Sequence, residues 1–177
     1  MSNDDGSQRQ SASSWSFSDA GMTLLKSAEA LFLQPYDDQT ERPTSVWVPG
    51  ATIGYGHLIA KTEWDKYSGG ITADDAATLL AQDLAPTVTA VQNAITAAVT
   101  QNEFDAMVIL TFNIGATAFA SSSVAKLVND PSASTQYPSL EGAWKAWDIS
   151  QGKVMAGLTN RRQCEWNVYA NGIYQHW

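Results

Sequence analysis

Apolar residues recur at helical spacing at Leu24, Leu25, Ala28 and Leu31, and Ser18 stands ahead of them with the side-chain oxygen a helix start uses. This pattern predicts a first helix opening at about Ser18, with Glu29 in its last turn. From Tyr36 to Ile59 the texture changes to short apolar runs broken by Pro, Gly and Thr, which predicts small antiparallel strands and tight turns. Thr72, followed by Ala73, Asp74 and Asp75, is an N-cap with acids in the first turn, so a helical stretch follows through Leu79, Leu80 and Leu84. Pro86 lacks a backbone N–H and is expected to kink or interrupt that helix. Helical patterns return at about 88–99, 102–112, 122–129, 139–147 and 159–170, with an exposed loop over Asp130–Pro138. Residues 1–15 are polar and low in complexity, and read as a flexible leader. The sum is an α+β chain, with one domain over 16–177. It has a small lobe with a short antiparallel sheet, about 36–70, and a larger all-helical lobe, about 88–177.

Composition narrows the partners. The 177 residues hold 18 acids against 10 Lys and Arg, a formal net charge of −8. No basic face is therefore expected to hold nucleic acid or an anionic membrane. Residues 1–80 carry eleven acids and five bases, whereas 141–177 carry three acids and four bases, so attraction for an anionic polymer would come from the C-terminal part. Cys164 is alone, which rules out an intramolecular disulfide. It is expected to be buried as a small apolar side chain. No run approaches the roughly 20 apolar residues that span a bilayer, and Met1 to Ser16 lacks the apolar region of a secretory signal. His57 and His176 are far apart, so no spacing resembles a zinc site, and neither metal nor cofactor is expected.

Two carboxylates suggest chemistry. Cleaving a glycosidic bond takes one carboxylic acid to protonate the departing oxygen and a second carboxylate to steer water or stabilise positive charge. Glu29 closes the first helix and Asp38 opens the β segment, so the chain turn between them can bring both to one wall. Asp37 is the rival for the second role. Alternation along a strand sends neighbours to opposite faces, and Asp38 is preferred. Spacing alone is weak evidence in an acidic chain.

Four ordered motifs add weight: SDAGMTLLKSAEALFLQPYDD from Ser18, TIGYGHLI at 52–59, NEFDAMVILTFNIGATAFASSSVAKLVN at 102–129, and GLTNRRQCEW at 157–166. Together they resemble the phage-type lysozymes, the muramidases of bacteriophage lysis systems, over about residues 18–177. The resemblance implies a lysozyme-like fold and hydrolysis of the β-1,4 bond between N-acetylmuramic acid and N-acetylglucosamine in bacterial peptidoglycan. It implies Glu29 as acid, with Asp38 and Thr52 positioning water for attack with inversion. A free Glu titrates near about 4.3, so apolar neighbours would have to raise Glu29 for it to act as an acid near neutrality. Arg161 is implied to lie near Glu29 and orient it. His57 is implied to pair with Asp83, a tie weakened as His57 loses its proton at high pH or Asp83 gains one at low pH. Asn113, Phe119 and Ser123 are candidates to line or support the site.

One departure stands out. Thirteen residues separate Asp38 from Thr52, about eight more than the family pattern, and the extra residues fall within TERPTSVWVPG. The expected partner is peptidoglycan, with a cognate immunity or inhibitor protein as a further candidate and a monomer as the expected state. The expected setting is synthesis in a bacterial cytoplasm and action in the periplasm or wall after release through a pore or injection. Competing readings are an inactive wall-binding module of the same fold and an antibacterial toxin domain with the same chemistry.

Overall fold

The computed structural model describes residues 8–176. In chain order the strands are β1 (Gln10–Ser11), β2 (Phe32–Asp37), β3 (Arg42–Pro43), β4 (Ala51–Gly54), β5 (His57–Leu58), β6 (Ala98–Val99), β7 (Ile149–Ser150) and β8 (Lys153–Val154). The helices are α1 (Asp19–Ala28), α2 (Trp64–Tyr67), α3 (Ala73–Ala94), α4 (Gln101–Ile114), α5 (Ala116–Ser121), α6 (Ser123–Asn129), α7 (Leu140–Lys145) and α8 (Ala156–Asn171). Among the described residues two compact units result: 26–86 forms one, and 8–25 with 87–176 forms the other.

The 26–86 unit holds a four-stranded antiparallel sheet in the order β3-β2-β4-β5. Every residue of β4 is buried, and Ala51 and Ile53 join Ile59, Tyr67 and Leu79 in a small apolar core. Trp47 and Val48, from the run of extra residues, pack against that core. Trp47 Nε1 also donates to the Ile59 carbonyl at 3.0 Å, so the long connection is tied down on the sheet. His57 Nδ1 lies 2.9 Å from Asp83 Oδ2, which joins β5 to α3.

The larger unit is built on α4. Residues Phe104 to Leu110 are all buried, so this helix is enclosed around its circumference, as a central helix must be. Thr100 and Glu103 close its N-terminus in a capping box, in which Thr100 N–H donates to Glu103 Oε2 at 3.0 Å. Asp105, on the same helix and fully buried, accepts from Ser18 N–H, Ser18 Oγ, Gln101 Nε2 and Tyr174 Oη. Ser18 Oγ in turn accepts from Gly21 N–H at 3.1 Å, so the predicted cap of α1 is also anchored to α4.

Burial raises Asp105 above the usual carboxyl range, against these hydrogen bonds, which pull it down. The folded chain therefore binds this proton more readily than the unfolded chain. That contribution to stability is complete below the ordinary Asp value of about 3.9 and is lost as pH rises through the raised value. Asp105→Asn has no such proton to lose. Its thermal midpoint is expected to gain on the parent's as pH climbs through that window, and a gap that stays constant with pH would defeat the prediction.

Several sequence expectations need correction. Of the 1–15 leader, residues 1–7 lie outside the described residues, but β1 pairs with β6, Ala12 and Trp15 are buried, and Trp15 Nε1 donates to the Val99 carbonyl. Its alternation of polar residues with one Ala and one Trp hid two anchoring side chains. Pro86 does not interrupt α3, which runs unbroken from Ala73 to Ala94. The Pro ring is exposed, and buried Leu80, Leu84 and Val91 hold the helix on its other side. The helix expected at 88–99 is the end of α3, and its last two residues are strand β6. Leu31 lies beyond α1 and is exposed, and Cys164 is half-buried.

Candidate active site

The 26–86 unit carries Glu29, Asp38 and Thr52, the three residues with chemistry to offer. Glu29 stands at the bend one residue past the end of α1, half-buried, where the chain turns into β2. The expectation put it inside the last turn. Leaving the helix frees its backbone from α-geometry and directs the chain into the sheet.

β2 then delivers Tyr36, whose register partner on β4 is Thr52. Residues directly opposite in an antiparallel pair share a face, so the Tyr36 ring and the Thr52 hydroxyl lie on the same side of the sheet. Burial first, then the charges of Asp38, Glu29 and Glu41, push the Tyr36 phenol above its ordinary value. One phenol thus senses both candidate carboxylates while standing opposite the candidate hydroxyl. Phe32 packs on Tyr36 with ring centroids 4.2 Å apart and is 42% exposed, which leaves aromatic surface open beside them. The sequence reading passed over Tyr36 and Phe32, since an aromatic in a strand carries no signal beyond β propensity.

Asp37 and Asp38 are told apart by what already holds them. Asp37 Oδ1 accepts from Gln39 N–H at 3.0 Å and its Oδ2 from Thr40 Oγ1 at 3.0 Å, so its carboxylate is committed to the β2–β3 turn. Asp38 is exposed, with its backbone N–H donating to the Gly50 carbonyl at 3.1 Å. Thr52 Oγ1 donates to the same carbonyl at 2.9 Å. Thr52 is buried, and with its one proton spent there its hydroxyl oxygen is left as an acceptor.

The remaining candidates, Asn113, Phe119, Ser123 and Arg161, lie on the larger unit. Phe119 is fully buried and serves packing, so it lines no site. Ser123 begins α6, whose cap is Ser122, accepting from Ala125 N–H. Asn113, at the end of α4, accepts from Arg162 Nη2 through its Oδ1 at 2.5 Å. Arg161 and Arg162 fall inside α8 and are buried, each with Nε 3.1 Å from a Glu165 oxygen. Arg161 is thus a member of a buried ion cluster, which the surface polarity of an Asn-Arg-Arg run did not advertise. No group of three or more His, Cys, Asp or Glu among the described residues could hold a metal ion.

The family model described as phage lysozyme matches residues 26–165, from the end of α1 to Glu165. The chain belongs to the phage lysozyme family. Within it, the chain is 36% identical over 158 residues to the endolysin of Bacillus phage PZA, covering 88% of this chain and 55% of that relative. The endolysin of Acyrthosiphon pisum secondary endosymbiont phage 1 is 32% identical, with 84% of this chain and 93% of the relative covered. The chain spans about half the length of the Bacillus phage endolysins it matches. Among solved structures, the endolysin from Escherichia coli O157:H7 phage FAHEc1 superposes with a TM-score of 0.71 at 31% identity, over 91% of this chain and 97% of that one. The muramidase domain of SpmX from Asticaccaulis excentricus gives 0.69 at 34% identity, over 88% and 98%. In this chain Glu29 precedes β2, Asp38 follows it and Thr52 lies on β4.

Proposed function

We propose that the chain is a peptidoglycan hydrolase of the muramidase type, cleaving the β-1,4 bond between N-acetylmuramic acid and N-acetylglucosamine. Glu29 protonates the leaving oxygen. Asp38 accepts a proton from water and Thr52 Oγ accepts a second hydrogen bond from it, which aims the water at the anomeric carbon from the opposite face of the sugar. The single observation that carries the reading is the phage lysozyme family match over residues 26–165, within which Glu29, Asp38 and Thr52 fall on one small unit. The exposed Phe32 ring beside Tyr36 suits the apolar face of a pyranose. Family membership supports the substrate, and the endolysin relatives support the bacterial wall as its place of action. Among the described residues no helix is long and apolar enough to cross a membrane.

The products decide the matter. Mass spectrometry of digested peptidoglycan is expected to find reducing-end muramic acid, and NMR of fresh products to find the inverted anomer. Anhydro-muramic ends would instead identify a lytic transglycosylase. Retained configuration would remove water-positioning from Asp38 and make it a nucleophile.

A further inference from the structure

We propose that Gly50, inside the run of extra residues, is the positioning residue that sets Asp38 and Thr52 for attack on the sugar; this rests on the muramidase reading. Three contacts converge on it. Its carbonyl accepts from the Asp38 backbone N–H and from the Thr52 hydroxyl, so one oxygen holds the Asp38 backbone and the Thr52 side chain together. Its α-carbon lies directly beneath the Asp38 carboxylate: a β-carbon placed there would stand 2.3 Å from Asp38 Oδ1 and 3.4 Å from Asp37 Oδ1. Its φ of +104° is a conformation that side-chain-bearing residues rarely adopt.

These contacts assign work to the extra residues. Trp47 and Val48 dock on the core of the 26–86 unit, Pro49 stiffens the approach, and Gly50 then meets Asp38 at a fixed height. The atom a new β-carbon would strike is the free end of an exposed side chain, not backbone. The clash itself can yield by swinging the carboxylate aside, which spoils the geometry of attack, while the positive φ adds backbone strain that shows in the thermal midpoint.

The test is a double-mutant cycle on purified peptidoglycan, with kcat and KM measured for the parent, Gly50→Ala, Asp38→Ala, the double variant and Glu29→Gln. Gly50→Ala is expected to lower kcat about a hundredfold, the scale of an ångström misplacement, with KM little changed. The double variant should be no slower than Asp38→Ala alone. Full kcat in folded Gly50→Ala, or losses that multiply in the double variant, would overturn the proposal. Should Gly50→Ala unfold at the assay temperature, the same cycle is read in thermal midpoints. Truncating Asp38 must then restore part of what Gly50→Ala lost, and no restoration overturns the contact. Glu29→Gln and the products separate the two ideas: if that variant turns over like the parent, or if reducing-end muramic acid is not released, the reading of the site fails, whatever the cycle shows for Gly50 and Asp38.

Discussion

Glu29→Gln is expected to lose about a thousandfold in turnover on peptidoglycan while keeping the parent's thermal midpoint to within a few degrees. An amide has nearly the shape of a carboxylic acid and still accepts and donates hydrogen bonds, but it has no proton to give a leaving alkoxide. General acid catalysis at a glycosidic oxygen contributes about 10²–10⁴ to rate, and the remaining groups on the sheet cannot substitute for it. Glu29 also sits at a bend outside both α1 and β2, half-buried and away from the apolar core of its unit, so the change leaves the packing of Ala51, Ile53 and Ile59 untouched. Reducing ends released from purified wall give the rate, and the clearing of permeabilised bacteria gives an independent reading. Equal clearing by parent and variant would take the acid role away from Glu29, and no clearing by either would favour a wall-binding module.

Which parts of this arrangement could be read from sequence follows from the range of the forces involved. The Ser18 cap, the acids in the first turn of α3 and the apolar texture of α4 are local signals, and each marks an element that the structure contains. The boundary of β2 was missed because Leu31, Phe32 and Leu33 are apolar yet exposed, and helical and strand periods cannot be told apart over so short a run. Pro86 shows the opposite failure, a strong local rule overridden by Leu80, Leu84 and Val91, which are buried on the same helix. At the site, the preference for Asp38 over Asp37 rested on strand alternation, while the structure supplies a different reason, the capture of Asp37 by Gln39 and Thr40. Gly50 was invisible. A Pro-Gly pair signals a turn, but nothing local says that its carbonyl serves two groups, one of them twelve residues earlier in the chain.

Glu165→Ala is expected to cost the most stability of any single change at the ion cluster on α8, about 3–5 kcal/mol, the scale for removing one partner of a buried charge pair. Glu165 is fully buried, accepts from Trp144 Nε1 at 3.1 Å, and is the carboxylate that Arg161 and Arg162 share. Burial pulls the Arg162 guanidinium below its usual value, Glu165 opposes that pull, and Arg161 beside it adds to it. Deleting the carboxylate therefore removes the one negative charge that both guanidinium groups share and the acceptor of the Trp144 indole N–H, in a buried setting. At about 2–4 °C per kcal/mol for a chain of this size, the midpoint should fall by roughly 10 °C. Arg162→Met makes the informative contrast, because it fills much of the same volume and leaves Glu165 paired with Arg161. Its cost is expected to be well under half as large, with the Asn113 carbonyl oxygen as the main group losing a partner. If the two variants melt together, packing rather than the shared carboxylate holds α8 against Trp144, and the charge argument is wrong.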